Sequence, residues 1–312
     1  MPNPTKDSFL AELRKRVGSL VKLPNSNSLF EIGSGLARIY IRYSKVHPRG
    51  LTFFGLRKDD LRQLEGHASF IVFLWDNQAS PLFLPYGAYE ELLNTIEPAG
   101  DGQFKAQVYT NAESIELYIA RLGRFNLEGL SGWSQLDSIS NGQTGAIIPD
   151  LNHSQIQSLI TAIGAAKGYD IWIPPNDRSG LDSAFVTRFT PREILPQPLM
   201  AVFDVLQEID IVWLRPGSNE IAGMFEVEHT TPIYTALLRF NDVHLMSPNI
   251  SQTFRVIANE ARRPLFVRHL NRPTFVASGL HQICTFLEYR NIYGWFQRTC
   301  REIPASLQVP FA

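Results

Sequence analysis

Three acidic residues set in apolar surroundings are the part of this sequence best suited to chemistry: Asp210 within Ile209-Asp210-Ile211, and Glu226 and Glu228 within Phe225-Glu226-Val227-Glu228. Side chains alternate across a strand, so Glu226 and Glu228 share one face while Phe225 and Val227 take the other. A hairpin turning around Gly217-Ser218-Asn219 pairs residues whose numbers sum to 436, which sets Asp210 opposite Glu226. All three carboxylates then converge. Clustered carboxylates in an apolar strand are costly unless protonated, paired with cations or bound to a metal. Oxygen ligands of this kind select hard divalent ions, Mg²⁺ first with Mn²⁺ as a substitute. A second arrangement stays open at this point, with the hairpin at a sheet edge and the acids facing solvent, paired with Arg215 or Arg239.

The elements around these acids have a recognisable order. A helix is expected over 154–167, with Ile156, Leu159, Ile160 and Ile163 on its apolar side and Gly168 ending it. The strand YDIWIP (169–174) follows. A loop-rich section leads through a helix near 194–207 to the strand IDIVWLR, the turn PGSN and the strand EIAGMFEVEHT. Thr231 is suited to cap a helix and Pro232 to begin it, giving the helix IYTALLRFNDVHL. TFRVIAN (253–259) reads as another strand, and the remainder as further helix, clearest in EYRNIYGWFQRTC (288–300). The order is helix, strand, strand, strand, helix, strand.

That order, with Asp210 followed by Glu226-Val227-Glu228, resembles the PD-(D/E)xK nuclease fold over about residues 150 to 270. In that family an acid starts the second core strand and an acid-x-Lys sequence lies on the third. This chain departs twice: no Pro precedes Asp210, and Glu228 stands at the Lys position, as Glu does in some restriction endonucleases of the fold. The resemblance implies that Asp210 and Glu226 hold Mg²⁺, with Glu228 a further ligand or an organiser of the attacking water. Tyr234 and Arg239 are helix positions within reach of a DNA backbone, with core packing the other reading of Tyr234. His229 is read as a capping or core residue, Glu208 as a surface residue at the helix-to-strand joint, and Asn176, Asp177 and Arg178 as a turn.

The first half has a different rhythm. Phe9, Leu10, Leu13, Val17, Leu20 and Val21 recur at helical spacing. Beyond Pro24 come short strand-like runs, ARIYIRY (37–43), LTFFGL (51–56), SFIVFLW (69–75), PLFLPY (81–86) and AQVYT (106–110), with helical turns at 58–65 and 86–96. Residues 1 to 65 hold twelve Lys and Arg against six Asp and Glu, a local charge of +6 in a chain whose net charge is −1. The stretch from Phe53 through Lys58 and on through FIVFLWDNQASPLFLPY resembles the DNA-recognition pseudobarrels of the plant B-three type that accompany some restriction endonucleases. On that resemblance Arg38, Arg42, Lys45, Arg49, Arg57 and Lys58 meet phosphates and base edges.

The expected fold is therefore α/β of the α+β kind. A mainly β, pseudobarrel-like DNA-recognition domain with an N-terminal helix occupies 1–135. A restriction-endonuclease-like αβββαβ domain with a mixed central sheet occupies 150–312, after a Ser/Gly/Asn-rich stretch at 131–153. The function this implies is Mg²⁺-dependent hydrolysis of double-stranded DNA at a specific or modified sequence, by a homodimer because two strands call for two active sites. A cognate methyltransferase would be encoded separately. Two rivals remain: a DNA-binding protein whose nuclease fold has lost catalysis, and a transition-metal enzyme using Glu226, Glu228 and His229, which alternation along the strand disfavours.

Composition sets the outer bounds. With 44% hydrophobic and 19% charged residues among 312, the chain is of ordinary globular type and long enough for two domains. No apolar run of membrane-spanning length appears and the start lacks a secretory signal, so no membrane partner and a cytoplasmic location are expected. Cys284 and Cys300 have no metal-ligand spacing and are read as buried or inert.

Overall fold

Runs such as SFIVFLW lack strict polar alternation because both faces of the sheet they build are covered. The computed structural model describes residues 3–24, 26–33, 35, 37–110, 114–137, 149–182, 190–195, 197–218, 220–247 and 253–299. The chain divides into two compact units, Met1–Ala146 and Ile147–Ala312.

In the first unit one sheet holds β1 (Leu20–Lys22), β2 (Leu29–Ile32), β3 (Ala37–Ser44), β5 (Ala68–Trp75) and β6 (Leu82–Pro85) in that spatial order. Its β3 and β5 are parallel and its other neighbours antiparallel. A second, antiparallel sheet holds β4 (Phe54–Arg57), β7 (Gln103–Thr110), β8 (Ile115–Ile119) and β9 (Gly123–Asn126). Tyr40, Ile71 and Phe73 of the first sheet share a buried cluster with Phe54, Phe104 and Leu117 of the second. The opposite face of the first sheet, with Ile39, Ile41, Phe70 and Val72, is closed by Phe9 and Leu13 of the helix Pro4–Val17.

The pseudobarrel expectation needs correcting in one respect. Among the described residues the ladders form open sheets whose edge strands do not pair with each other, so no barrel closes. The strand expected from Leu51 begins at Phe54, since Leu51 makes only an isolated bridge to His47. Four strands were not foreseen, β1, β2, β8 and β9, because short segments interrupted by polar residues carry too little period to read.

The second unit is built on one mixed sheet, β10 (Asp170–Trp172), β11 (Ile211–Leu214), β12 (Ile221–Val227), β13 (Phe254–Ala258) and β14 (Cys284–Glu288), in sequence order across its width. The first three strands run antiparallel and the last three parallel. Helices His153–Ala166 and Tyr289–Thr299 cover one face through Ile156, Ile160, Ile163, Ile292 and Phe296. Helix Ile233–Met246 covers the other through Ala236, Leu237 and Phe240. Gly164, inside the first of these helices, leaves room for the Trp213 ring: an added Cβ would lie 2.5 Å from its indole nitrogen. Glycine there costs about 1 kcal/mol of helix propensity and permits the close approach.

The expected order of helix, three strands, helix and strand is present, and β14 is an addition. The sequence predicts helix over its five residues, because so short an apolar run has no distinguishing period. Cys284 is buried, and burial pushes its thiol pKa up; Cys300 lies outside the described residues. No helix among the described residues is long and apolar enough to cross a membrane.

Candidate active site

The ladder between β11 and β12 joins Ile211 to Phe225, Val212 to Met224 and Trp213 to Gly223, the register in which paired numbers sum to 436. It slips only beyond Trp213, where Leu214 meets Ile221. Asp210 therefore enters β11 beside the end of β12, where Glu226 and Glu228 stand. Its Oδ2 accepts the Val227 backbone N–H at 2.6 Å, a charge-assisted bond that fixes the carboxylate against the strand carrying the other two acids.

Each remaining acid has its own counter-group. Glu226 is 2% exposed and turns both oxygens to the Arg239 guanidinium, at 3.2 and 3.4 Å. Burial pushes its carboxyl well above the usual range, and the Asp210 charge pushes the same way against the pull of Arg239. Burial opposes the charge on Arg239, but its ion pairs with Glu226 and Glu208 outweigh that and hold its pKa up. Glu228 is also buried. Burial raises its pKa, the Thr231 hydroxyl donating to its Oε2 lowers it in part, and Asp210 raises it further.

That Thr231 bond changes the expected helix start. Pro232, not Thr231, is the N-cap of Ile233–Met246, and no side chain caps it. The Thr231 hydroxyl goes to the buried carboxylate instead, which has the greater need of a donor. His229 is exposed, stacked on Tyr289 and hydrogen-bonded to its hydroxyl at 3.0 Å. Tyr234 packs half-buried against the core, with Arg272 over its ring, and Glu208 is an exposed partner of Arg239.

Three residues at the site were missed in the sequence. An Asn152 and Gln155 capping box fixes the start of the helix His153–Ala166. His153 there brings Nε2 to 3.4 Å from Asp210 Oδ2, and that contact raises the imidazole pKa. One turn on, Gln157 is 1% exposed and donates to the Asp210 backbone carbonyl at 3.0 Å. Its amide also bonds Asp177, whose carboxyl is raised by burial and by the Asp210 charge. The signal available was Gln157, Ser158 and Thr161 lying together in an apolar helix. Arg262, the third, donates to the backbone carbonyls of Glu228, His229 and Thr231 and so pins the loop after β12. Asn176 and Asp177 lie in the expected turn and Arg178 opens a short 3-10 helix, its side chain on the carbonyls of Ile173 and Arg192.

The donor set is all oxygen, as a hard cation takes it. Among the described residues, however, no group of three or more His, Cys, Asp or Glu side chains is gathered as a metal cage. Val227 and His153 share Asp210 Oδ2, and Thr231 donates to Glu228 Oε2. Asp210 and Glu228 offer carboxylate oxygens of the kind a divalent ion takes, whereas both oxygens of Glu226 are held by Arg239.

The family described as the type II restriction enzyme NmeDI C-terminal domain matches residues 138–303, over half of the chain and the whole of this site. The chain belongs to that family. The type II restriction enzyme NmeDI of Neisseria meningitidis serogroup C is 29% identical over 131 residues, covering 39% of this chain and 37% of that enzyme. The chain thus matches little more than a third of that relative's length. No solved structure matches. The NmeDI-type region contains every residue of the carboxylate site, and both sheets of the first unit lie outside it.

The residues of the first unit expected to meet DNA are not equally placed. Arg38 is 5% exposed, paired with Glu31 and donating to the Gln63 carbonyl, so it serves the interior. Arg42 lies half-buried over the Tyr40 ring, and Lys58 pairs with Glu97. Lys45 and Arg57 are exposed. The Arg49 side chain lies outside the described residues.

Proposed function

We propose that this chain is a divalent-metal-dependent endonuclease of the type II restriction kind, hydrolysing phosphodiester bonds of double-stranded DNA, with Mg²⁺ as its ion and Mn²⁺ as a substitute. The observation that carries the proposal is the bond from Asp210 to Val227, which ties Asp210 to the strand end carrying Glu226 and Glu228 inside an NmeDI-type region. The second unit is read as a PD-(D/E)xK core with Glu at the Lys position, a reading supported by its element order and mixed sheet.

Asp210 and Glu226 would hold the ion. When bound, the ion supplies Lewis acidity toward the scissile phosphate and the leaving oxygen. Glu228 would be a further ligand or would orient the attacking water. Arg262 holds the loop carrying Glu228 in place, and Gln157 and His153 hold Asp210. Arg239, on release from Glu226, would meet a phosphate oxygen.

The first unit is read as a DNA-recognition module of the B-three kind in open-sheet form, with Lys45 and Arg57 available to phosphates, helped by Arg42, Arg49 and Lys58. Cutting two strands implies a homodimer. A cytoplasmic location and a separately encoded methyltransferase complete the reading.

The test is to incubate the purified protein with methylated and unmethylated plasmid and phage DNA, in Mg²⁺ or in EDTA. Discrete fragments in Mg²⁺ alone are expected. One observation favours a second reading, a DNA-binding protein without catalysis: Arg239 occupies both oxygens of Glu226. DNA binding with no cleavage in Mg²⁺ or Mn²⁺ would select it.

A further inference from the structure

The outward face of the second sheet carries an unusual set of side chains for a solvated surface. Gln103, Lys105, Gln107 and Tyr109 of β7 lie on it, since Phe104, Ala106 and Val108 between them are buried. Gly55 of β4 lies opposite Lys105, and Tyr118 of β8 opposite Gln107. Small residues flank Lys105, Gly55 on β4 and Ala120 just past the end of β8, and the face sinks there into an open cleft of about 300 Å³. The Gln103 amide lies across Gly55 so closely that a Cβ on that glycine would fall 1.7 Å from its Oε1. A glycine inside a strand often marks such a close approach.

Phe53 borders the same cleft and is 47% exposed, the only exposed Phe, Tyr or Trp side chain among the described residues. Its ring is nearly perpendicular to that of His47. Across the cleft are Tyr118 and the amides of Gln103 and Gln107. The Tyr109 hydroxyl donates to Gln107 Oε1, which fixes that amide with its NH₂ free to donate. Around the cleft the face carries Arg57, Lys105 and Arg124, the last two paired with Asp101 and Glu116.

We infer that this cleft binds a single nucleobase extruded from the DNA duplex, with Phe53 and Tyr118 offering ring faces, Gln103 and Gln107 reading its hydrogen-bonding edge, and Lys105 and Arg57 meeting the flanking phosphates. An extruded base is recognised by stacking together with hydrogen bonds to its edge. Glutamine amides pair with base edges in both directions, and cations beside the cleft suit the backbone that must accompany the base. The inference rests on the reading of the first unit as a DNA-recognition module and does not depend on catalysis by the second.

The experiment is in vitro selection of random-sequence duplexes by the full chain in EDTA, repeated with Gln103→Ala/Gln107→Ala and with Gly55→Val, which fills the cleft. Circular dichroism checks that each variant is folded. The wild type is expected to enrich a sequence. Both variants should lose preference at the same one or two base positions, by about 10- to 100-fold, the worth of a good bidentate contact. Placing 2-aminopurine at that position should give a fluorescence change when the wild type binds. Unchanged preference in the folded double variant, a preference lost evenly across all positions, or no enrichment by the wild type would each overturn the inference. A parallel digestion with Mg²⁺ separates this outcome from the nuclease reading, which fails only if the wild type cuts no DNA.

Discussion

Asp210 Oδ2 accepts the backbone N–H of Val227 at 2.6 Å, so the acid that opens β11 is bonded to the residue lying between Glu226 and Glu228 on β12. One hydrogen bond therefore ties all three carboxylates to a single strand end. Removing that bond or neutralising one of the acids has separable consequences.

Asp210→Asn should abolish cleavage while leaving DNA binding in EDTA near the wild-type level, since the amide oxygen still accepts from Val227 but the charge is gone. Digestion of plasmid beside a gel-shift titration checks this. Retained cutting by the purified variant would remove Asp210 from the proposed site.

His153→Ala and Gln157→Ala act on Asp210 from behind, through its carboxylate and its backbone carbonyl. Residues that orient a metal ligand typically cost about 10- to 100-fold in metal affinity or activity when changed. The Mg²⁺ concentration giving half-maximal cleavage should rise accordingly in both variants, with less change in the rate at saturating metal.

Glu226 supplies a pH signature. Its folded pKa is raised above the unfolded value, so the folded state binds the extra proton and stability falls as pH rises from the unfolded carboxylate pKa, about 4.3, toward the folded one. In EDTA, the Tm of the wild type should drop across that window relative to Glu226→Gln, whose neutral amide has no such dependence. Equal pH profiles for the two proteins would contradict the burial of an ionisable group there.

Divalent metal should reverse that loss. A ligand that binds only the folded state stabilises by about 2.7 kcal/mol at a hundred times its Kd. Thermal unfolding at neutral pH should therefore shift upward with Mg²⁺ in the wild type, and by much less in Glu226→Gln.

Arg239→Met leaves Glu226 buried without its cation, a kind of change that costs about 3–5 kcal/mol. Denaturant unfolding should register it, and adding Glu226→Gln in the double variant should recover most of the loss. Two additive losses would mean that Arg239 stabilises the helix by packing alone.

What the sequence by itself determined is local. The alternation of Phe225, Glu226, Val227 and Glu228, with a turn of fixed length after Asp210, dictates the strand pairing and brings the acids together, because period and turn length leave one register that buries the apolar face. Helix, strand and helix order in the second unit was legible for the same reason. Tertiary structure alone decided which cation meets which acid. Arg239 and Arg215 were equal candidates by sequence, and only the packing of the helix Ile233–Met246 on β12 delivers Arg239 to Glu226, while Arg215 pairs with Glu220 in the hairpin. The same holds for His153, nearly sixty residues before Asp210, and for Arg38, whose place in a basic segment suggested DNA but whose strand carries it into the interior. Contacts between residues distant in sequence depend on how sheets and helices stack, and no local period records that.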